Sequence, residues 1–213
     1  MFIGHFAIAY LLLFLAPGVP PIVPLVGVSF PDLLWPVLVL LGIEKVSIDP
    51  GSPRQDAIVF IRYPWSHSLV TGTLIAVIPG IIAGIAFGAV AGIVFVVASA
   101  SHWMLDTIVH RKDLPVLGFG KDRTVGLGLW NRGPLAFVVE LIFYVVVTLL
   151  VVPEGYVIPL LVIGFLFHMI NANSFFRFSA KNPFGSPGVY AAMALAGFTA
   201  FILLADAVFI GIL

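Results

Sequence analysis

Apolar runs of transmembrane length alternate along this chain with short polar segments. Seven such runs stand out, at 2–16, 22–42, 66–86, 89–110, 134–152, 157–172 and 188–212. Crossing the hydrocarbon core of a bilayer takes roughly 17–25 mostly apolar residues, so the pattern predicts an all-α, polytopic transmembrane helical bundle of about seven spans. The first run is short and stops at Pro17. The second carries Pro24, Pro31 and Pro36. Each proline removes a backbone donor that lipid cannot replace, so a kinked or partly unwound span is expected there. The third and fourth runs form a hairpin turning near Phe87-Gly88. Gly80, Gly84, Gly88 and Gly92 recur through it every four residues, the spacing of close helix packing through small side chains. No linker, repeat array or low-complexity segment divides the chain. One integral membrane domain is therefore expected over 1–213, with the functional core in 1–145 and additional spans over 157–212.

Composition agrees with the pattern. Hydrophobic residues make up 61% and charged residues 9%, the mean hydropathy is +1.17, and a soluble domain carries about 25% charged residues. The zero net charge calls for no nucleic-acid partner. Without cysteine there are no disulfides, thiolate metal sites or cysteine nucleophiles. No Lys or Arg precedes the first apolar run, which argues for a retained first helix over a cleaved signal peptide. The basic residues add an orientation. Lys45, Arg54 and Arg62 fall in the second loop, Arg111, Lys112, Lys121, Arg123 and Arg132 in the fourth, and Arg177 and Lys181 in the sixth. These are all ten in the chain. The positive-inside rule then places those loops and the N-terminus in the cytoplasm and the C-terminus outside, in the cytoplasmic (inner) membrane. Trp65 and Trp130 fit the interfacial aromatic belt.

Ionisable residues inside membrane spans are costly and mark candidate functional sites. Here they are His5, Asp32, His67, His102, Asp106, His110, Glu140 and His168, while Glu154 and Asp206 lie near the outer ends. Counted from the cytoplasmic ends at a helical rise of 1.5 Å, His5 is roughly 6 Å deep, His168 roughly 8 Å, Glu140 roughly 9 Å, His102 roughly 12 Å and Asp32 roughly 15 Å. Most of the polar groups thus converge on one half of the membrane. His102, Asp106 and His110, at i, i+4 and i+8, fall within an arc of about 80° on one helix face. Imidazole and carboxylate on adjacent turns can ligate one ion, and a divalent cation neutralises several buried carboxylates at once. The alternative for this pair alone is a metal-free His–Asp hydrogen bond. Adding Asp32, His67 and His5 favours metal. Glu140 reads as a ligand or as a partner of one, His168 as a packing residue, and His110 as a ligand or a helix-end charge.

Gly4-His5, Phe30-Pro31-Asp32, the stretch Arg62-Tyr63-Pro64-Trp65-Ser66-His67-Ser68, His102-Trp103-Met104-Leu105-Asp106-Thr107 and Asp113-Leu114-Pro115 together resemble the YdjM-like family of inner-membrane metal-dependent hydrolases. The resemblance covers roughly residues 1–145; Tyr63-Pro64-Trp65-Ser66 replaces the middle of the family's Arg-Gly-x-Thr-His-Ser stretch. The order His, Asp, His, HxxxD is also similar to the ligand order of soluble zinc-dependent phospholipases C, which have a helical fold. That similarity implies two or three zinc ions hydrolysing a phosphoester.

The expectation is therefore a membrane-embedded, metal-dependent hydrolase of a lipid phosphoester at the cytoplasmic leaflet. His5, Asp32, His67, His102, Asp106 and His110 hold the metal, and Asp32 and Glu140 serve as catalytic carboxylates. Arg62 and Arg132 receive an anionic headgroup. The expected cofactor is two or more divalent ions, zinc for an imidazole-rich set, with manganese or magnesium as alternatives. The expected partners are membrane lipids and a lipid-like phosphoester. The rival reading is a metal-ion or small-solute transporter, which also uses intramembrane His and Asp.

Overall fold

The structure, a computed structural model, describes residues 1–212 apart from the side chain of Asp56. Seven helices make the bundle: α1 (Ile3–Leu15), α2 (Ile22–Leu40), α4 (Leu69–Phe87), α5 (Ala89–Val109), α6 (Pro134–Val151), α7 (Glu154–Ile170) and α9 (Pro187–Phe209). Two short ones, α3 (Pro64–His67) and α8 (Ala172–Phe176), sit at their ends. Five helices, α2, α4, α5, α6 and α9, are long and apolar enough to cross a membrane. The other two expected spans, α1 and α7, are apolar but only 13 and 17 residues long. At 1.5 Å per residue α1 is about 20 Å long, short of a bilayer core of about 30 Å. The first seven or so residues of α1 are almost all enclosed: Ile3, His5, Phe6, Ala7 and Ala9 have 0% exposure.

The outward faces are the apolar ones. Ile78, Ile81, Ile82 and Ile85 on α4, and Ile142, Val146, Leu149 and Leu150 on α6, are exposed. Rows of exposed aliphatic side chains of this kind suit lipid and would be an aggregation hazard in water. Inside, Phe6, Tyr10, Leu25, Val28, Ala98, Tyr144, Leu160 and Phe201 form the main core, joining α1, α2, α5, α6, α7 and α9. The hairpin of α4 and α5 turns at Gly88, whose φ of 96° suits glycine. A Cβ on Gly92 would stand 2.7 Å from the Gly80 carbonyl and 3.1 Å from Gly84 Cα, so the two backbones meet directly.

The basic loops come together at one end of the bundle. The second forms an antiparallel hairpin of β1 (Lys45–Ile48) and β2 (Ile58–Arg62). The fourth contains a short pair, β3 (Leu114–Pro115) with β4 (Thr124–Val125). Asn182 N–H donates to Pro50 O (3.1 Å) and Val70 N–H to Val116 O (3.0 Å), tying the sixth loop to the second and the fourth to α4.

Three expectations change. The proline-rich second run is not unwound but is one continuous helix from Ile22 to Leu40, with Pro31 and Pro36 inside it. Burial of its centre against α1, α5 and α9 holds the turns that the missing donors weaken. The third run is split: α3 ends at His67, and Ser68 is extended and caps α4, its Oγ accepting from Gly72 N–H at 3.1 Å. The fourth ends at Val109, so His110 is a C-cap residue with extended backbone and not a third helical position. Segment 126–128 seals that end: Leu127 N–H donates to Thr107 O (2.8 Å) and Gly128 N–H to His110 O (2.7 Å).

Candidate metal centre

Asp106, from the last turn of α5, is the hub. Its Oδ1 lies 3.2 Å from His5 Nε2, on α1. Its Oδ2 lies 3.2 Å from His102 Nε2, one turn back, and 3.4 Å from His110 Nε2, just past the helix end. Asp32, halfway along α2, is the second carboxylate. Its Oδ1 is 3.3 Å from His67 Nε2 and its Oδ2 is 3.7 Å from His102 Nε2. His67 Nε2 is also 3.9 Å from Asp106 Oδ2, and the imidazoles of His5 and His102 stack at 3.7 Å. All six residues expected to hold metal are therefore in one cluster. Five are almost fully buried, and Asp32 keeps 18% of its side chain exposed. The Met1 ammonium also reaches Asp106 Oδ1, at 2.5 Å.

Two groups of three, His5–His102–Asp106 and Asp32–His67–His102, are compact enough to hold a metal ion. Their spacing passes a geometric test. Nitrogen and oxygen ligands lie about 2.0–2.2 Å from zinc, so two ligands at angles near 90–110° stand roughly 2.8–3.6 Å apart. Four of the six imidazole–carboxylate distances, 3.2, 3.2, 3.3 and 3.4 Å, fall in that range, and 3.7 and 3.9 Å lie just beyond it. His5 Nε2 and His102 Nε2 stand 3.2 Å from a carboxylate oxygen, yet neither has a hydrogen-bond partner among the described residues. Close approach without a hydrogen bond, between fully buried polar atoms, is what a cation placed between them explains.

The surrounding residues fix how the rings face. His102 Nδ1–H donates to the Val28 carbonyl (2.7 Å), in the turn of α2 that Pro31 loosens. A neutral His102 then presents its Nε2 lone pair to the two aspartates. His67 is set by a longer chain. Glu44 Oε2 accepts from Ser66 Oγ (2.6 Å), and Ser66 Oγ is 2.8 Å from His67 Nδ1. With its one proton committed to Glu44, the serine oxygen accepts from His67 Nδ1–H, leaving Nε2 free toward Asp32. Glu44 itself is fixed by the N–H groups of Trp65 (2.8 Å) and Ser66 (3.0 Å). His110 Nδ1 is 3.2 Å from Asp113 Oδ1 and 3.4 Å from the Tyr63 hydroxyl. Burial pushes the Tyr63 phenol up, so it stays a neutral donor. Carboxylate–histidine pairs of this kind are the usual support of metal-bound imidazole.

Glu140 has a separate place. Its Oε1 accepts from the backbone N–H groups of Phe2 and Gly4 (3.0 Å to Gly4), capping α1 and so positioning His5, and it belongs to neither three-residue group. His168 donates from Nε2 to the Phe137 carbonyl (3.0 Å) and stacks on the Phe137 ring (3.8 Å). Of the two arginines expected to meet substrate, Arg62 ends β2 beside Lys45, exposed, outside the cleft that opens on the cluster. Arg132 is exposed and lines a second cavity.

The cluster forms the floor of a cleft of about 150 Å³. Asp32, His67, Asp106, His110 and Glu140 reach it, and its walls include Phe2, Phe60, Phe167, Phe175, Phe184 and Phe198. Sequence reasoning missed Glu44, which lies in a loop outside the apolar runs. It also missed the roles of Ser66, Tyr63 and Asp113, although all three fall inside stretches singled out above. No protein-family model matches the chain, and no curated protein and no solved structure proved similar to it. What fold and site define is a class: an apolar-faced helical bundle, five of its helices able to cross a membrane, around a buried His/Asp cluster able to hold a metal ion.

Proposed function

We propose that this protein is a membrane-embedded, metal-dependent hydrolase that cleaves a phosphoester of a lipid at the cytoplasmic leaflet. The observation that carries the reading is the placement of the His/Asp cluster on the floor of a phenylalanine-lined cleft. Polar chemistry at the base of an apolar slot suits a substrate with a phosphorylated end and a hydrocarbon tail.

Zinc would suit a set with four imidazoles, and each aspartate turns its two oxygens toward different histidines. Divalent ions there supply Lewis-acid polarisation of a phosphoryl oxygen and lower the pKa of a water. The chain supplies the rest. Asp32, the most open carboxylate of the cluster, takes a proton from the attacking water. Glu140 holds α1 so that His5 keeps its place. Trp35 packs into the cleft wall, its buried indole N–H without a hydrogen-bond partner among the described residues. The resemblance to YdjM-like hydrolases points the same way.

Against transport stands the packing beyond the cluster. Phe6 and Phe201 stack at 3.8 Å, and Tyr10 donates to Tyr144 (3.1 Å), which donates to the Leu160 carbonyl (2.6 Å). All four side chains are buried, which supports a dead-end site over a path. The test is metal analysis of the purified protein with a panel of phospholipids in vesicles. Chelator-sensitive release of a headgroup or phosphate, lost in Asp32→Asn, is expected; cation flux without hydrolysis would overturn the reading.

A further inference from the structure

A second cavity, of about 340 Å³, adjoins the first. Three arginines line it, one from each basic loop: Arg54, Arg132 and Arg177. Asn131 and Ser174 add polar groups, and the N-cap and first residue of α6, Gly133 and Pro134, bring the positive end of that helix to the same wall. Among the described residues, the side chain of neither Arg132 nor Arg177 has an ion-pair or hydrogen-bond partner. Arg177 also holds a left-handed backbone (φ 61°), which no other non-glycine residue adopts among those described. Strain of this kind persists only where the surroundings enforce it, and here it sits at the cavity's edge.

The two cavities share Gln55, Trp130 and Phe175. Trp130 packs on His110 at 4.4 Å, and His110 faces Asp106. One layer of side chains therefore separates the arginines from the metal cluster. Guanidinium groups pair with phosphate through two parallel donors, and like charges gathered around a cavity favour a dianion over a zwitterion.

We propose that the arginine-lined cavity is an anion subsite for a second phosphate-class group of the substrate, so that the lipid carries one phosphoester over the metal cluster and a further phosphate beyond Trp130. The lipid part of this inference rests on the hydrolase reading; the anion site does not.

The experiment has two arms. In the first, inorganic phosphate is titrated into chelator-treated, detergent-purified protein, wild type and Arg132→Gln/Arg177→Gly. Arg177→Gly also relieves the strained backbone, so loss of binding reports the cation and not misfolding. At least a tenfold loss of phosphate affinity is expected, with a melting temperature no lower than that of wild type; equal affinity in both proteins overturns the site. Should the double variant not fold, Arg132→Gln alone, at an exposed position, carries the same test with a loss of at least threefold. In the second arm, metal-loaded protein meets phosphatidylcholine vesicles doped with phosphatidylglycerol or with phosphatidylglycerol phosphate. The arginine variant should lose at least tenfold in kcat/KM on the second lipid and stay within about twofold on the first. A tenfold loss of phosphate affinity without that lipid preference assigns the cavity to free phosphate and overturns the two-phosphate substrate. If wild type cleaves neither lipid, the hydrolase reading and the two-phosphate substrate fall together, and the phosphate titration alone decides the anion site.

Discussion

Ser66→Ala removes the hydroxyl that stands between Glu44 and His67. Glu44 keeps its hydrogen bonds from the Trp65 and Ser66 N–H groups, so the carboxylate stays in place. His67 does not keep its orientation: its Nδ1–H loses a partner in a side chain that is 4% exposed. A buried donor without a partner costs about 1–3 kcal/mol. Loss of such an outer support typically weakens metal binding about 10–100-fold, which is about 1.4–2.7 kcal/mol. Competition of the purified protein against a zinc chelator of known affinity reads this directly. Glu44→Gln should do more harm than Ser66→Ala. Its carbonyl can still accept from the two N–H groups, but its amide can only donate to Ser66 Oγ. The serine proton then turns toward His67 Nδ1, and the histidine carries its hydrogen on Nε2, where the ion should bind. Zinc affinity within twofold of wild type in both variants would refute the role given to this chain of hydrogen bonds.

Four further outcomes are expected. His102→Ala and Asp106→Ala should each lower the retained metal of the purified protein and its thermal stability, measured by elemental analysis and thermal unfolding; unchanged metal in both rejects the cluster as the site. Metal content should fall on acidification through the histidine range, because ligation needs neutral imidazole, and equilibrium dialysis at stepped pH checks it. A reporter fused after residue 213 should lie on the opposite side of the membrane from one inserted near residue 120, and the same side for both would show that α6, α7 and α9 do not all cross. Gly92→Val should destabilise the protein by about 1–3 kcal/mol or more, read by thermal unfolding, since its Cβ would meet the Gly80 carbonyl at 2.7 Å and backbone cannot yield as a side chain does.

The helical class and the gathering of intramembrane His and Asp residues were legible in the residues alone, while of the seven expected spans five are helices long and apolar enough to cross a membrane. Lipid admits only backbones that satisfy their own hydrogen bonds, so long apolar runs had to be helices, and ionisable residues within them had to meet one another or an ion. Positions 102 and 106 share a face by helical period, which needs no tertiary knowledge. Tertiary packing decided what periodicity cannot carry. His110 leaves the helix because segment 126–128 caps the end of α5, and it returns to Asp106 only through that loop. Pro31 and Pro36 sit in an unbroken helix because α1, α5 and α9 enclose it. Glu140 pairs with the start of α1, 136 residues away from Gly4, and not with the aspartates. Glu44, in a basic loop, is carried inward by its own hairpin to two backbone N–H groups beside His67. A carboxylate is a ligand, a cap or a solvated charge according to which donors surround it, and residues distant along the chain supply those donors only once it is folded.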